Sequence, residues 1–255
     1  MRHWQIVLAL VGILLVWCIT GIGDGLLKAV NGLPNAADYV LGMWPPDLHI
    51  LPNLVEPLIE TVQMGVLGVA MASIVTVPLS FCAACETSPC RLAYILSKMI
   101  INICRSIPTL LWAIIFVTMV GLGPAAGVFA LMVHCVGALG KYFSESIESI
   151  YPRVVEVLEA MEVDGAGRAR ALVMGLGPAI SPLFSSYIAY YIEWSIRVGT
   201  ILGLVGAGGL GLRLTMSIRM FRRQETSAIV LAIVVMVMVI DALSRVARKR
   251  ILEMM

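Results

Sequence analysis

The chain has 255 residues, 60% of them hydrophobic and 13% charged, with a mean hydropathy of +0.94 and a formal net charge of +2. A soluble domain is about half apolar and about a quarter charged, so this composition excludes one and points to an all-α integral membrane protein. The small net charge identifies no partner; where the positive residues sit carries the information.

The first apolar run, Gln5 to Ile22, follows the charged start Met1-Arg2-His3. A signal peptide also begins this way. No small-x-small cleavage site follows, however, and bulky Leu15-Val16-Trp17 precede Cys18, so an uncleaved first span is expected. Residues 24–56 read as an extramembrane stretch. Leu26, Leu27, Val30, Tyr39, Val40 and Trp44 form an interfacial piece, and Pro45-Pro46-Asp47 stops any helix.

A second span is expected from Pro57 to Ala83, where Gly65, Gly68, Ala70 and Ala72 allow close helix contact. Polar character returns from Ala84 to Ser106. Two short apolar runs follow, Ile107–Val120 and Gly127–Leu139, parted by Gly121-Leu122-Gly123-Pro124. A crossing needs about 20 residues, so the ends of both must be extended or buried in protein. The fifth span runs from Ala179 to Val205 and the last from Thr226 to Leu243. This divides the chain into a first helix with an extracytoplasmic segment, 1–56, and a core of five spans, 57–255.

Six spans place both termini on one side. That side holds Arg2, Arg91, Lys98, Arg105, Lys141, Arg153, Arg168, Arg170, Arg245, Arg248, Lys249 and Arg250, against Lys28, Arg213, Arg219, Arg222 and Arg223 on the other. The excess makes the termini cytoplasmic. The same side then holds the polar stretch from Tyr151 to Pro182. Its start reads as a short amphipathic helix: Pro152 suits the first turn, while Val154, Val155, Leu158 and Met161 share a face. Gly165 closes it. Such a helix between spans is a docking element for a cytoplasmic partner.

Several motifs carry or exclude chemistry. Gly206-x-Gly208-x-x-Gly211 matches the dinucleotide fingerprint in letters, but that fingerprint needs a βαβ unit and here follows a span. Gly206, Gly208, Gly209 and Gly211 read instead as a sharp turn or close helix approach. Gly137-Ala138-Leu139-Gly140-Lys141 lacks the glycine and hydroxyl residue of a phosphate loop, so no nucleotide site is expected in this chain. Cys82, Cys85 and Cys90 have no fourth ligand nearby, so no metal site is expected either.

Glu193 and Arg197 stand at i, i+4 inside the fifth span, spaced for an ion pair. Charges there face a cavity or partner. They read either as a structural pair or as an anion path with its gate, and His134 is a third candidate lining residue. Arg213, Arg219, Arg222 and Arg223 are either a solvated face or a docking surface. Gly-x-Ser-x-Gly and His-Glu-x-x-His are absent, so no catalytic residues are expected.

Glu159-Ala160-Met161-x3-Gly165 is similar to the Glu-Ala-Ala-x3-Gly loop of ABC importer permeases. The Ile-x-Leu-Pro that ends that loop stands here as Gly175-Leu176-Gly177-Pro178, keeping only the proline. More of the chain resembles the branch that carries phosphonate, phosphite and hypophosphite. The segments are Trp44-Pro45-Pro46-Asp47; Val120 to Gly127; Val133-His134 with Lys141 and Ser144-Glu145; Glu193 to Arg197; and Val205 to Gly211.

The resemblance implies a type I importer permease fold with a coupling helix over 151–165, in the bacterial inner membrane. Val155, Leu158, Glu159, Ala160, Met161, Glu162, Gly165 and Arg168 would then contact an ATPase. Implied partners are a second permease subunit, two ATPases that hold ATP and Mg, an extracytoplasmic binding protein and membrane lipid, with no nucleic acid. A permease for another small solute such as methionine, or an ion-driven secondary transporter, remains the alternative.

Overall fold

The computed structural model describes residues 2–163 and 172–253, and all their regular structure is helical. In chain order these helices are α1 (Arg2–Leu41), α2 (Leu51–Ala83), α3 (Arg91–Ser106), α4 (Thr109–Val120), α5 (Pro124–Val163), α6 (Gly177–Leu202), α7 (Gly209–Arg219) and α8 (Arg223–Glu253). Hydrocarbon offers the backbone no hydrogen-bond partner, so a chain this apolar has to satisfy its amides within helices.

Four helical segments are long and apolar enough to cross a membrane: Leu48–Ala83, Pro124–Val155, Met174–Val205 and Arg223–Val246. Helices α3 and α4 pass the same test as a pair, bent by 91°. The corner falls at Ile107, whose backbone is extended because Pro108 follows it. The apolar part of α1, Leu10–Gly21, is shorter than these spans. Among the described residues the expectation of six spans therefore resolves into four, a broken fifth and this shorter run.

Three expected boundaries are corrected. The interfacial piece before Leu41 is part of α1, and the break comes at Gly42–Asp47, where the prolines forbid continuation. The second span begins earlier, at Leu51, with Pro52 in its first turn. The fourth does not stop at Leu139. Polar residues beyond it keep the helical spacing and find partners: Lys98 Nζ lies 3.2 Å from Glu148, which also accepts the Cys85 amide, and Lys141 pairs with Glu145 at 3.5 Å. Helix α5 therefore continues to Val163. Tyr151 starts no separate helix, and Pro152 lies inside α5, where it removes one i→i−4 hydrogen bond without ending the helix.

Helix α2 is the centre of the bundle, held between α5 and α6 by small residues. A Cβ at Gly65 would collide with Ile196 of α6, and one at Gly68 would sit 2.8 Å from Leu131 of α5. Around these contacts Met64, Leu131, Leu139, Phe143, Ile147 and Leu176 are fully buried, with Phe143 stacked on Phe184. Helix α1 meets this body at its far end. There Arg223 lies over the Tyr39 ring, and Ser227 Oγ donates to the Met43 carbonyl at 2.8 Å.

The chain reverses between α6 and α7. Gly206 and Gly208 have φ of +91° and +81°, which a side chain resists. Gly211 then passes so close to Thr200 that any Cβ would overlap the Thr200 carbonyl. The first amides of α7 have no partner in their own helix. Helix α2 supplies both: Glu60 Oε2 accepts from the Gly209 N–H at 3.0 Å, and Thr61 Oγ1 accepts from the Leu210 N–H at 2.9 Å while donating to the Pro57 carbonyl.

The sequence departure at Gly175 and Gly177 falls in regular helical structure. Residues Leu172–Leu176 form a π-helical turn that runs straight into α6, anchored by buried Leu176. A Cβ at Gly177 would meet nothing within 4 Å.

Two predictions follow from these contacts. Gly211→Ala should destabilise the purified protein by about 1–3 kcal/mol through overpacking, whereas Gly177→Ala should be neutral or gain up to about 1 kcal/mol from helix propensity. Thermal unfolding in detergent compares them; equal midpoints would refute both assignments. Glu60→Ala combined with Thr61→Val should speed hydrogen exchange at the Gly209 and Leu210 amides about tenfold or more, as the loss of two hydrogen bonds of about 1 kcal/mol each implies. Unchanged protection would contradict the cap.

Candidate translocation site

Helix α6 carries Glu193 about 18 Å from the Val205 end of its span, at 1.5 Å per residue, and so well inside it. A carboxylate at that depth costs about 2.5–3.5 kcal/mol unless it is paired. Glu193 is paired twice. Its Oε1 accepts from Arg197 Nη2 at 2.9 Å, one turn along α6, and its Oε2 accepts from Arg248 Nη2 at 3.1 Å, across on α8.

The side chains differ in exposure, and the difference sets their roles. Glu193 is 8% exposed, Arg248 25% and Arg197 49%. The carboxylate is thus the buried hub, and the Arg197 side chain is half exposed. The Arg248 guanidinium also lies 5.8 Å from the centre of the Tyr190 ring. A second polar tie between α6 and α8 comes from Ser244 Oγ, which donates to the Ala189 carbonyl at 3.4 Å.

His134 belongs to a neighbouring surface. Its ring stacks on Trp194 with centroids 4.9 Å apart, and its Nδ1 is buried without a protein hydrogen-bond partner. Cys135 Sγ lies 3.4 Å from Ser195 Oγ in the same α5–α6 seam. From Trp194 the seam continues through Tyr191, Tyr142 and Tyr187. His134 therefore sits beside the residue that follows Glu193, but no ion pair or hydrogen bond among the described residues joins it to Glu193 or Arg197.

The remaining sequence candidates lie apart from this cluster. Gly206, Gly208, Gly209 and Gly211 make the α6–α7 reversal. Val155 is half-buried on α5. Leu158, Glu159, Ala160, Met161 and Glu162 fall in the last turns of α5, with side chains outside the described residues, as are Gly165 and Arg168 altogether. Arg213 and Arg222 line a cavity of about 290 Å³ with Asn53, Ser217 and Glu225, and Arg222 pairs with Glu225 at 3.1 Å. Among the described residues no group of His, Cys, Asp and Glu could hold a metal ion.

Two residues escaped the reading of the sequence. Arg248 lies just past the last apolar segment, where it reads as a flanking charge, yet its side chain reaches back to Glu193. Glu60 is a second carboxylate within a span, placed by its bond to Gly209. The rule that a charge inside a span needs a named partner would have found Glu60.

Comparison with known proteins agrees with this architecture. The family model described as binding-protein-dependent transport system inner membrane component matches residues 76–252. The phosphite transport system permease protein PtxC of Stutzerimonas stutzeri is 39% identical over 228 residues, covering 88% of this chain and 82% of that protein. The putative phosphite transport system permease protein HtxC of the same organism is 35% identical, covering 99% and 88%. Among solved structures, an inward-facing MetNI methionine ABC transporter aligns with a TM-score of 0.68 at 20% identity, over 80% of this chain and 99% of that one. That likeness shows the fold alone. With the family model spanning most of the bundle and two relatives above 30% identity over more than four fifths of their length, the chain belongs to the inner-membrane permease components of binding-protein-dependent ABC transport systems.

Proposed function

We propose that this permease subunit carries a reduced-phosphorus oxyanion (phosphite, hypophosphite or a phosphonate) inward across the bacterial inner membrane by alternating access. The observation that carries the reading is similarity to PtxC and HtxC, both named for phosphite transport, over more than four fifths of either protein. The Arg197–Glu193–Arg248 cluster supports it, because a path for an anion needs cationic groups inside an otherwise apolar bundle. His134 and Trp194 line the adjoining seam and would contribute a hydrogen-bonding edge to the path.

The chain is a transport subunit rather than an enzyme. ATP and Mg would be held by two ATPases on the cytoplasmic side, where both termini lie on the excess of Lys and Arg. The contact surface for the ATPases would be the end of α5 and the residues after it. There Val155, Leu158 and Met161 seat in a partner groove, Glu159 and Glu162 orient them, and Gly165 turns the chain toward Arg168. The continuous α5 supports this role, since one helix runs from Met161 to His134, with one backbone hydrogen bond lost at Pro152. A second permease subunit, of this same chain or a related one, would close the path. An extracytoplasmic binding protein would deliver the anion near Arg213 and Arg222. The Gly206–Gly211 reversal, pinned by Glu60 and Thr61, is the natural outer gate element.

The cargo is tested by calorimetric titration of the cognate binding protein with phosphite, hypophosphite, methylphosphonate, phosphate and methionine. Micromolar or tighter binding, about −8 kcal/mol or more, is expected for at least one of the first three. Selective binding of methionine would overturn the reading. Coupling is tested separately: Glu159→Arg and Gly165→Leu should leave the protein in the membrane at normal abundance but cut uptake at least about tenfold, the effect expected when an interface anchor is lost. Normal uptake in both would remove the coupling role.

A further inference from the structure

Glu193 carries one negative charge and is shared by two guanidinium groups, each on its own carboxylate oxygen. Among the described residues the three-membered cluster therefore carries one net positive charge. Asp241 on α8 is paired with Arg245 at 3.3 Å. A buried helix lock would be neutral, because an uncompensated charge in a span is costly. A half-exposed Arg197 beside a fully engaged carboxylate is instead the arrangement of a seat that takes an anion of its own.

The geometry points to Arg197 and Arg248 forming a two-guanidinium seat for a singly charged tetrahedral phosphorus oxyanion, with Glu193 as its fixed internal counter-ion. This rests on the cargo reading above and sharpens it. Each guanidinium spends one N–H on Glu193, and among the described residues its other N–H groups make no hydrogen bond and can meet oxygen acceptors. The carboxylate holds both heads in place and limits the charge, so that the seat attracts a monoanion without trapping it. Arg248 is the new member. It comes from α8, so the seat joins the two helices and would be reshaped when they move relative to each other.

The test is charge balance in the complete transporter reconstituted into liposomes with its ATPase and binding protein, measuring uptake of phosphite and hypophosphite. Arg248→Gln leaves the cluster neutral and should lower uptake of both anions about tenfold, while the complex still assembles and hydrolyses ATP. Glu193→Gln combined with Arg248→Gln returns the cluster to one net positive charge on Arg197 and should recover at least about half of the lost uptake. A purely structural tie predicts the reverse, since the double variant breaks the same link between α6 and α8. Wild-type uptake in Arg248→Gln, or a double variant no better than the single one, failure of both to assemble included, would overturn the seat. A defect seen only when the liposomes contain phosphatidylglycerol, and not in phosphatidylcholine alone, would assign the charge to a lipid headgroup and also overturn it. Wild-type complex that moves neither anion would instead defeat the cargo reading beneath it.

Discussion

A carboxylate in the middle of a membrane-spanning helix is tolerated only when cations meet it, and the way Glu193 is met organises one side of this bundle. Arg197 on its own helix is the cheap partner, one turn away at helical spacing. Arg248 is the costly one, because it requires α8 to lie against α6 along its length. Ser244 and the apolar contacts of Ile229 and Met236 with Ile192 and Ile196 are consistent with that alignment. The orientation of the last helix is thus tied to a charge placed midway along an earlier one.

A second constraint acts where the chain breaks its helix inside the bundle. A reversal at Gly206–Gly208 exposes amides that lipid cannot satisfy. Helix α2 answers with Glu60 and Thr61, adjacent in sequence and together covering the first two amides of α7. The Gly123 amide donates to the Gly206 carbonyl, which fastens the α4–α5 turn to the same point. Helix α2 therefore does two things at once. Its glycines let α5 and α6 approach, and its polar residues hold the break that follows α6.

Much of this was legible in the residues, and the misses have physical causes. Apolar runs located α2, α5, α6 and α8, and Pro45-Pro46 located the break after α1, because those signals depend on local backbone chemistry. The length of α5 was not legible. Lys141, Glu145 and Glu148 look like the end of a span, yet a helix leaving the apolar layer keeps its backbone bonds and needs only partners for its charges. The Glu193–Arg197 pair was legible from spacing alone. Arg248 was not, since a residue at the edge of an apolar run gives no sign of whether its side chain turns outward to solvent or inward to a buried acid. The coupling segment was expected from residue spacing and resemblance together, and its decisive side chains lie outside the described residues.

Taken together, these features describe a bundle whose helices are positioned by small residues and which holds a capped helix break and a charged cluster on α6 and α8. Relatives that match most of this chain are named for phosphite transport, and that similarity is the basis for the proposed cargo. The most direct measurement is ATP-dependent accumulation of labelled phosphite in liposomes holding this permease with its ATPase and binding protein. The account predicts uptake that requires ATP and the binding protein and is competed by hypophosphite or a phosphonate. Accumulation of methionine with no effect of any phosphorus oxyanion would contradict it.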